Sequence, residues 1–305
     1  MTLLNISPET ALQCGPLSVT LAPAAGGRIT RLASEGPNGT IDWLVPLADE
    51  VRQAGFAPTA WPKAGCYPLV PFSNRIAQGR FGSAGRTAAL PLHPGEAHAL
   101  HGGSHRMPWT LIRHDAGHAT MAYRHRRGDQ GWPWSFDVTQ DVLLDHDRLT
   151  LTLQVTNTDD AEMPCGLGFH PYFPAAFADR IGFTASALWP PDDSFLGTPP
   201  RPVPVADDYA VPRPLADLEL TQYYGQWDGQ ATLAARDGRA IRMQADAALR
   251  HMVLHRPAGR GYFCVEPVSH VSNAAHLQAS VPGTGWLALA PRASAEARMA
   301  LHLAL

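Results

Sequence analysis

Lysine is almost absent from this 305-residue chain. It has 24 basic side chains, and all of them except Lys63 are arginines. A P-loop is therefore excluded, because that motif contains Gly-Lys-Ser/Thr and this lysine lies in Trp-Pro-Lys-Ala. Schiff-base chemistry would have to use the same single residue.

The chain also lacks a surplus of positive charge and a long apolar run. Its formal net charge is −3, so no basic field is available for nucleic acid or an anionic membrane. The uncharged stretch 10–27 is interrupted by Pro16 and Pro23, which argues against a membrane span. No cationic segment predicts a signal peptide. We expect a cytoplasmic monomer or homodimer with a small-molecule partner.

Cysteine is scarce as well. Cys14, Cys66, Cys165 and Cys264 are the four in the chain, and no two have CxxC spacing. We therefore expect free, mostly buried thiols that act in packing, and neither a zinc site nor a redox pair.

Alternating apolar and polar residues dominate what is present. The segment 148–157 alternates almost perfectly and predicts a half-buried antiparallel strand. The segment 135–144 repeats this pattern, with Gln140 breaking its apolar face once, and Asp145-His146-Asp147 predicts a hairpin turn between the two. Further strands are predicted at 17–21, 28–32, 120–126, 232–235, 240–244, 251–255, 262–265, 285–290 and 297–305.

Helical periodicity is rare. Short helical turns are predicted at 59–63 and 174–179 only. The proline-rich segment 189–214 predicts a surface excursion or a pocket rim, because proline donates no ladder hydrogen bond. Many short strands separated by turn signals favour a sandwich or barrel, and the even composition favours one domain, 1–305.

A histidine and a carboxylate, each next to a proline, form a possible acid/base pair. His170 lies in Gly-Phe-His-Pro-Tyr-Phe, and Glu266 lies in Cys-Val-Glu-Pro about a hundred residues later. Uncharged neighbours would desolvate an inward Glu266 and raise its pKa. Such a pair can exchange sugar anomers, one group taking the C1 hydroxyl proton while the other protonates the ring oxygen, with no metal or organic cofactor. The alternatives are a strand-end glutamate in water and a core histidine bonded to backbone.

Two earlier segments contain candidate sugar-binding residues. Asn74 and Arg75, in Pro-Phe-Ser-Asn-Arg-Ile-Ala, could hold hydroxyl groups through an amide and a guanidinium. His101 begins a His-Gly-Gly step whose glycines would let backbone approach a ligand. The alternatives are a structural salt bridge for Arg75 and a turn position for His101. Aromatic candidates for packing against a sugar are Tyr172, Trp61, Trp109 and Phe72.

Together these four segments resemble the aldose 1-epimerase (galactose mutarotase) family. The resemblance implies an all-β fold, the large antiparallel β-supersandwich of the galactose mutarotase type with a few short helices, and an aldose as substrate. It implies that His170 is the general acid and Glu266 the general base. It also implies that Arg75 and His101 bind substrate and that Asn74 flanks them.

The chain departs from the family pattern at one position. The family usually carries an aspartate a few residues before a Trp-Asp-Gly turn, where it holds a sugar hydroxyl. Here Thr221 or Gln222 takes that place, ahead of Trp227-Asp228-Gly229. A neutral side chain can bond a hydroxyl without charge-assisted strength. The resemblance therefore leaves the identity of the aldose open.

Two other functions on the same scaffold remain open. A non-catalytic sugar-binding module would have the pocket without a working acid/base pair. A hexose 6-phosphate epimerase would need an arginine cluster. Arg124, Arg126 and Arg127 are adjacent, although on one strand Arg127 would face away from the other two.

A cupin-like metal enzyme is the remaining alternative. His101 and His105, and likewise His251 and His255, have His-x-x-x-His spacing, which places both members on one face of a strand. Two histidines and a carboxylate would suit a transition metal. Two glycines between the first pair argue instead for a loop.

Overall fold

The alternating sequence folds into antiparallel strands. A computed structural model describes residues 3–37 and 39–304. In these residues the strands, β1 to β24, are Thr10–Cys14, Leu17–Ala22, Arg28–Gly36, Gly39–Asp42, Cys66–Leu69, Arg75–Ala77, Arg80–Ser83, Arg86–Ala89, His98–Leu100, Thr110–His114, His118–His125, Phe136–Leu144, Arg148–Asn157, Met163–Cys165, Gly168–Pro171, Phe173–Pro174, Arg180–Trp189, Arg201–Pro202, Leu220–Ala234, Ala240–Ala245, His251–Arg256, Tyr262–Val268, Leu287–Leu289 and Ser294–Ala304. The α-helices there, α1 and α2, are Asp49–Ala54 and Ala274–Leu277.

Two runs of antiparallel strands share the long strand β19. One run is β1–β2–β3–β5–β15–β22–β21–β19, and the other is β19–β20–β24–β13–β12–β11–β10. Positions 220–225 of β19 pair with β21, and positions 230–234 pair with β20. The all-β supersandwich expected from the sequence is confirmed.

The apolar side chains of the alternating strands meet in one large core with a smaller cluster beside it. Gln140, the one polar residue on the inner face of β12, is buried and donates to the backbone oxygen of Gly27 at 2.9 Å. This bond satisfies the amide in the core and ties β12 to the segment before β3.

The strand predictions agree closely with the structure. β13 has the predicted bounds, and it forms a hairpin with β12 in which Leu144 pairs with Leu149. The segment predicted at 297–305 is a strand that begins at Ser294 and continues to Ala304, and Leu305 lies outside the described residues.

The helix predictions agree less well. Residues 59–63 contain the end of a turn and two bends but no helical residue, so the helical turn predicted there is wrong. Pro62 explains this, because a proline disfavours helical conformation in the residue before it. The prediction at 174–179 is confirmed as one 3₁₀ turn, Ala175–Phe177. The helices α1 and α2 were not predicted, since helices of six and four residues are too short to show periodicity.

The proline-rich segment is largely irregular, as predicted. Trp189 is the last residue of β17, and residues 190–214 contain only the two-residue strand Arg201–Pro202, one 3₁₀ turn and isolated bridges. In the described part of the chain, no helix combines the length and apolar character required to span a lipid bilayer.

The cysteines are free and mostly buried, as predicted. Burial raises the pKa of the Cys66 and Cys165 thiols to about 12. Neither thiol is therefore an activated nucleophile near neutral pH.

Candidate active site

Strand register brings His170 and Glu266 opposite each other. β15 pairs antiparallel with β22 at Gly168 and Val268, and β16 continues in the same register. Two residues further along β15 and two residues back along β22 are the histidine and the glutamate. His170 Nε2 and Glu266 Oε1 lie 3.5 Å apart, and both side chains are buried.

The neighbouring strands extend this arrangement into one continuous face. Val253 in β21 is the partner of Glu266, and Tyr223 in β19 is the partner of Val253. On the other side, Tyr67 in β5 is the partner of His170. Alternate residues of a strand share a face. The residues displaced by two along each of these strands therefore form a second row of side chains on the same face of the sheet.

The second row contains Tyr172, Cys264, His255 and Thr221. His255 pairs with both Cys264 and Thr221 in the observed register. The floor of the site is therefore made of side chains from one face of five strands, and its geometry is set by main-chain pairing.

A cavity of about 220 Å³ lies over this face. All seven residues placed in the site by sequence reasoning line it, namely Asn74, Arg75, His101, His170, Tyr172, Thr221 and Glu266. The remaining lining residues are Trp61, Lys63, His93, Glu96, Leu100, Phe195, Val253, His255 and Tyr262. The volume is small for a ligand pocket, for which roughly 300–1,000 Å³ is usual, and suits one small ligand.

His170 is held between two tyrosine rings. Its ring centroid lies 4.7 Å from that of Tyr67 and 4.6 Å from that of Tyr172. Burial is the main cause that lowers its pKa well below the usual range, and the positive charge of Lys63 acts in the same direction. The imidazole is therefore neutral near pH 7, and its Nδ1 has no hydrogen-bond partner among the described residues.

Glu266 shows the opposite shift. Burial raises its pKa to about 8, against the opposing effects of Arg75 and Lys63. A raised pKa is the direction expected from its uncharged sequence neighbours. Its Oε2 is buried without a hydrogen-bond partner in the described part of the chain. At neutral pH the single proton of the pair therefore resides mainly on the carboxyl group.

Asn74 and His101 hold each other in place. The Asn74 N–H donates to His101 Nδ1 at 3.0 Å, and the His101 N–H donates to the Asn74 backbone oxygen at 2.7 Å. Both residues have positive φ, 53° and 55°, a region in which asparagine and histidine are enriched. Burial lowers the pKa of His101 well below its usual range, so the neutral ring carries its proton on Nε2.

The glycines after His101 were predicted to let the backbone approach a ligand, and this prediction is wrong. A Cβ on Gly102 would lie 2.0 Å from the backbone oxygen of Val70, and one on Gly103 would lie 2.5 Å from the Gln130 side chain. The space therefore admits other parts of the same chain, and not a ligand. The close approach of Gly102 to Val70 positions the adjacent His101.

Arg75 both forms a salt bridge, with Glu96, and lies at the cavity. Its guanidinium donates to the two carboxylate oxygens of Glu96, at 2.7 and 2.9 Å, and it also lines the cavity. The guanidinium carbon lies 4.8 Å from the ring centroid of Phe195, a residue of the proline-rich segment. That segment therefore forms part of the cavity rim, as predicted.

Of the two candidates for the divergent position, Thr221 lies at the cavity. Its Oγ1 is 2.9 Å from His255 Nδ1. Gln222 does not line the cavity and bonds instead to Asp207, at 2.6 Å, and to Tyr224. Successive residues of a strand point to opposite faces, so only one of them can reach the site.

Among the aromatic candidates, Trp61 and Tyr172 line the cavity and are joined by a bond of 3.3 Å from Trp61 Nε1 to the Tyr172 hydroxyl. The predictions for Trp109 and Phe72 are wrong. Trp109 stacks on Tyr123, and Phe72 stacks on Trp132, both within the large core. An aromatic core residue and an aromatic pocket wall have the same sequence pattern.

Comparison with known proteins assigns the family. The family model described as aldose 1-epimerase matches residues 17–302. The chain belongs to the aldose 1-epimerase family. It is 33% identical over 268 residues to the uncharacterized protein YphB of Escherichia coli (strain K12), a match covering 85% of this chain and 89% of the relative.

Solved structures of similar proteins agree with the family assignment. A crystal structure from Escherichia coli K12, provisionally named an aldose 1-epimerase, is 28% identical with a TM-score of 0.83, covering 97% of this chain and 98% of the other. The galactose 1-epimerase from Lactobacillus acidophilus NCFM is 15% identical, with a TM-score of 0.78 and coverage of 97% and 94%. At that identity the likeness shows the shared fold alone.

Several cavity residues of this aldose 1-epimerase family member were not predicted to bind sugar. They are Lys63, His93, Glu96, Phe195, His255 and Tyr262. Strand alternation could have found His255 and Tyr262, since both flank the Cys264 position in the sheet. No sequence signal separates Glu96 or His93 from ordinary loop residues.

The metal alternative does not fit the family member's histidine pairs. His105 Nδ1 lies 2.7 Å from the Gly102 oxygen, and its ring stacks on Tyr67. His251 lines a different cavity from the one that His255 lines. The two predicted pairs are therefore not a common ligand set.

A different group of possible ligand atoms does occur within the site. Those of His170, Cys264 and Glu266 lie within 4.8 Å of one another. Burial raises the pKa of the Cys264 thiol well above its usual range, which opposes the thiolate that a metal requires. The group fits proton transfer better than metal binding.

The predicted arginine cluster lies elsewhere. Arg124 pairs with Asp137, and Arg127 pairs with Asp159 and Asp160. None of the three clustered arginines lines the cavity of this family member.

Proposed function

We propose that this protein is an aldose 1-epimerase, an isomerase that interconverts the α and β anomers of an aldose. The observation that carries the proposal is the contact of 3.5 Å between His170 and Glu266 inside a cavity, each with one polar atom that has no partner among the described residues. Two oppositely shifted titratable groups at this distance suit simultaneous donation and acceptance of a proton.

Ring opening requires one proton to be taken and one to be given. The Glu266 carboxylate takes the proton of the C1 hydroxyl, whose O–H electron pair becomes the second bond of the aldehyde. The C1–O5 bond breaks, and its electron pair receives a proton from the His170 imidazolium. Rotation about C1–C2 and the reverse transfers close the ring as the other anomer.

The proton of the pair is on a different residue before and after ring opening. After ring opening Glu266 is protonated and His170 is neutral, which is the state favoured by the pKa shifts of both residues. With the ring closed, the same single proton must reside on His170. Burial disfavours that ion pair, so in the ring-closed complex the proton first moves from Glu266 to His170, and ring opening returns the pair to the state that burial favours.

The other cavity residues suit a hydroxylated ring. Arg75, Asn74 and the Nε2–H of His101 can donate to sugar hydroxyls, and Thr221 offers a hydroxyl of its own. The faces of Tyr172 and Trp61 can pack against sugar C–H groups. The chemistry uses only side chains, so no cofactor enters the proposed mechanism.

Substitution of the carboxyl group tests the proposal. Glu266→Gln should lower the enzyme-dependent anomer exchange by at least roughly 100-fold, the lower range for a positioned acid/base group, and His170→Asn should have a comparable effect. Polarimetry on freshly dissolved α-anomer, or saturation-transfer NMR, measures the rate over a panel of aldoses.

Glu162→Gln is a matched control, because it removes an exposed carboxylate that does not line the cavity. Circular dichroism checks that each variant folds. Near-normal exchange by Glu266→Gln would contradict the proposal. Sugar binding without accelerated exchange in the unaltered protein would favour the non-catalytic sugar-binding module.

A further inference from the structure

Positive charge collects around the cavity of a protein whose net charge is −3. Lys63 and Arg75 line the cavity. Two more cations, Arg28 and Arg106, do not line the cavity but pack against aromatic rings next to it. The guanidinium carbon of Arg28 is 4.4 Å from the Tyr67 ring centroid, and that of Arg106 is 5.3 Å from the Trp61 ring.

Carboxylates do not balance this charge. Glu96 binds Arg75 with both oxygens, and Glu266, with a pKa of about 8, is mainly protonated at neutral pH. Lys63, Arg28 and Arg106 form no ion pair within residues 3–37 and 39–304. The histidines at the cavity add no positive charge, because burial lowers the pKa of each of those with a shifted value, His93, His101, His170 and His255.

Only one of the three unpaired cations can touch a ligand. Arg28 is fully buried beneath Tyr67, and Arg106 is buried with one nitrogen bonded to the Leu100 oxygen. Lys63 is exposed, lines the cavity and places its Nζ 4.5 Å from the Trp61 ring centroid. Its ammonium group is therefore the one available for direct contact with a negatively charged ligand.

We propose that the substrate is an aldose that carries a single acidic substituent, a carboxylate as in a hexuronic acid, and that the Lys63 ammonium group binds this carboxylate. The inference rests on the proposed epimerase function and names its substrate class. One accessible ammonium group suits a single negative charge. A phosphate group carries about −1.5 to −2 and is usually bound by several donors, whereas two of the three Arg75 nitrogens, Nε and Nη2, already bind Glu96.

The other groups in and around the cavity also favour an acidic sugar. Thr221 and His255 bond to each other as neutral groups on the floor. The covered charges of Arg28 and Arg106 act through low-dielectric aromatic rings, where electrostatic attraction is weakened less than in water. Together they favour an anion in the cavity, while Lys63 determines where its charged group binds.

A comparison of charged and neutral sugars as substrates tests the inference. The enzyme-dependent kcat/KM for anomer exchange is measured by saturation-transfer NMR with a hexuronic acid, the matching neutral hexose and its 6-phosphate. At low ionic strength we expect the hexuronic acid to be preferred by roughly tenfold or more, and added salt to reduce that preference.

Lys63→Met should remove most of the preference by lowering the ratio of kcat/KM for the hexuronic acid to that for the neutral hexose roughly tenfold. The ratio is the readout because the Lys63 charge also lowers the pKa of His170 and Glu266, so that part of its loss acts on all sugars alike. Lys63→Arg should retain it. Arg124→Met, which removes an exposed cation outside the cavity, is the matched control for net charge.

Three results would overturn the inference: a higher kcat/KM for the neutral hexose or for the 6-phosphate in the unaltered protein, an equal loss for all sugars in Lys63→Met, or a preference independent of salt. The salt measurement needs no variant, so it applies even if a variant fails to fold. Failure of the epimerase proposal is a separate result, because then no sugar of the panel would exchange faster than in buffer.

Discussion

At the scale of single residues, His170 and Glu266 act as one titrating unit. Side chains 3.5 Å apart share a single proton over the neutral pH range, because one pKa is raised and the other is lowered. Glutamic acid with neutral histidine, and glutamate with imidazolium, contain the same number of protons. The pH dependence of the rate therefore reports the proton count of the pair and not which residue holds the proton.

That proton count predicts the alkaline limb of the pH profile. Above pH 8 Glu266 loses its proton while His170 is already neutral, so the pair retains none to donate. We expect kcat/KM to fall about tenfold per pH unit once the pH exceeds about 8. Initial rates measured in buffers of constant ionic strength check this, and a rate that keeps rising above that pH would contradict it.

At the scale of elements, the segment after β9 shows how one glycine fixes the position of a cavity residue, His101. Gly102→Ala would place a Cβ 2.0 Å from the Val70 oxygen, so the segment that carries His101 must move. We expect a loss of about 1–3 kcal/mol in the free energy of unfolding, as for other overpacked sites, together with a lower kcat/KM. Urea unfolding and anomer exchange measure the two effects.

Gly261→Ala is the control for this substitution. A Cβ there would meet nothing within 4 Å, and its φ is not in the left-handed region. Its stability and activity should stay close to those of the unaltered protein. An equally harmless Gly102→Ala would show that the contact with Val70 does not hold His101.

At the scale of the whole molecule, the raised pKa of Glu266 links the site to global stability. Its pKa rises from 4.5 to about 8 on folding, so between these values the folded protein keeps a proton that the unfolded chain releases. The contribution of this group is fully present below the lower value and is lost as pH rises towards the upper one.

Glu266→Gln should therefore gain stability relative to the unaltered protein as the pH is raised. The difference in unfolding free energy should shift in favour of the variant by a few kcal/mol between about pH 5 and pH 8, since each unit of pKa shift is worth about 1.4 kcal/mol. Urea titrations at both pH values measure it, and other groups cancel in the comparison. A difference that does not change with pH would show that Glu266 is not desolvated in the folded protein.

The fold and much of the site could be predicted because their signals are local in the sequence. Alternation located β13 to the residue, and the His170 and Glu266 segments identified the pair and its family. Contacts formed between distant segments could not be predicted. Arg75 binds Glu96, which is 21 residues away, and packs against Phe195 of the proline-rich segment. No periodicity in the sequence indicates either contact.

The register of β15 and β22 has a consequence for how this protein can diverge. Loops outside the ladder, such as residues 189–214, can lengthen at a small entropic cost without moving the pair. Deletion of a single residue between Gly168 and His170 would instead turn the imidazole to the reverse face of the sheet. Substitutions at the cavity leave the alignment of the two residues intact, whereas an insertion or deletion within β15 or β22 would separate them.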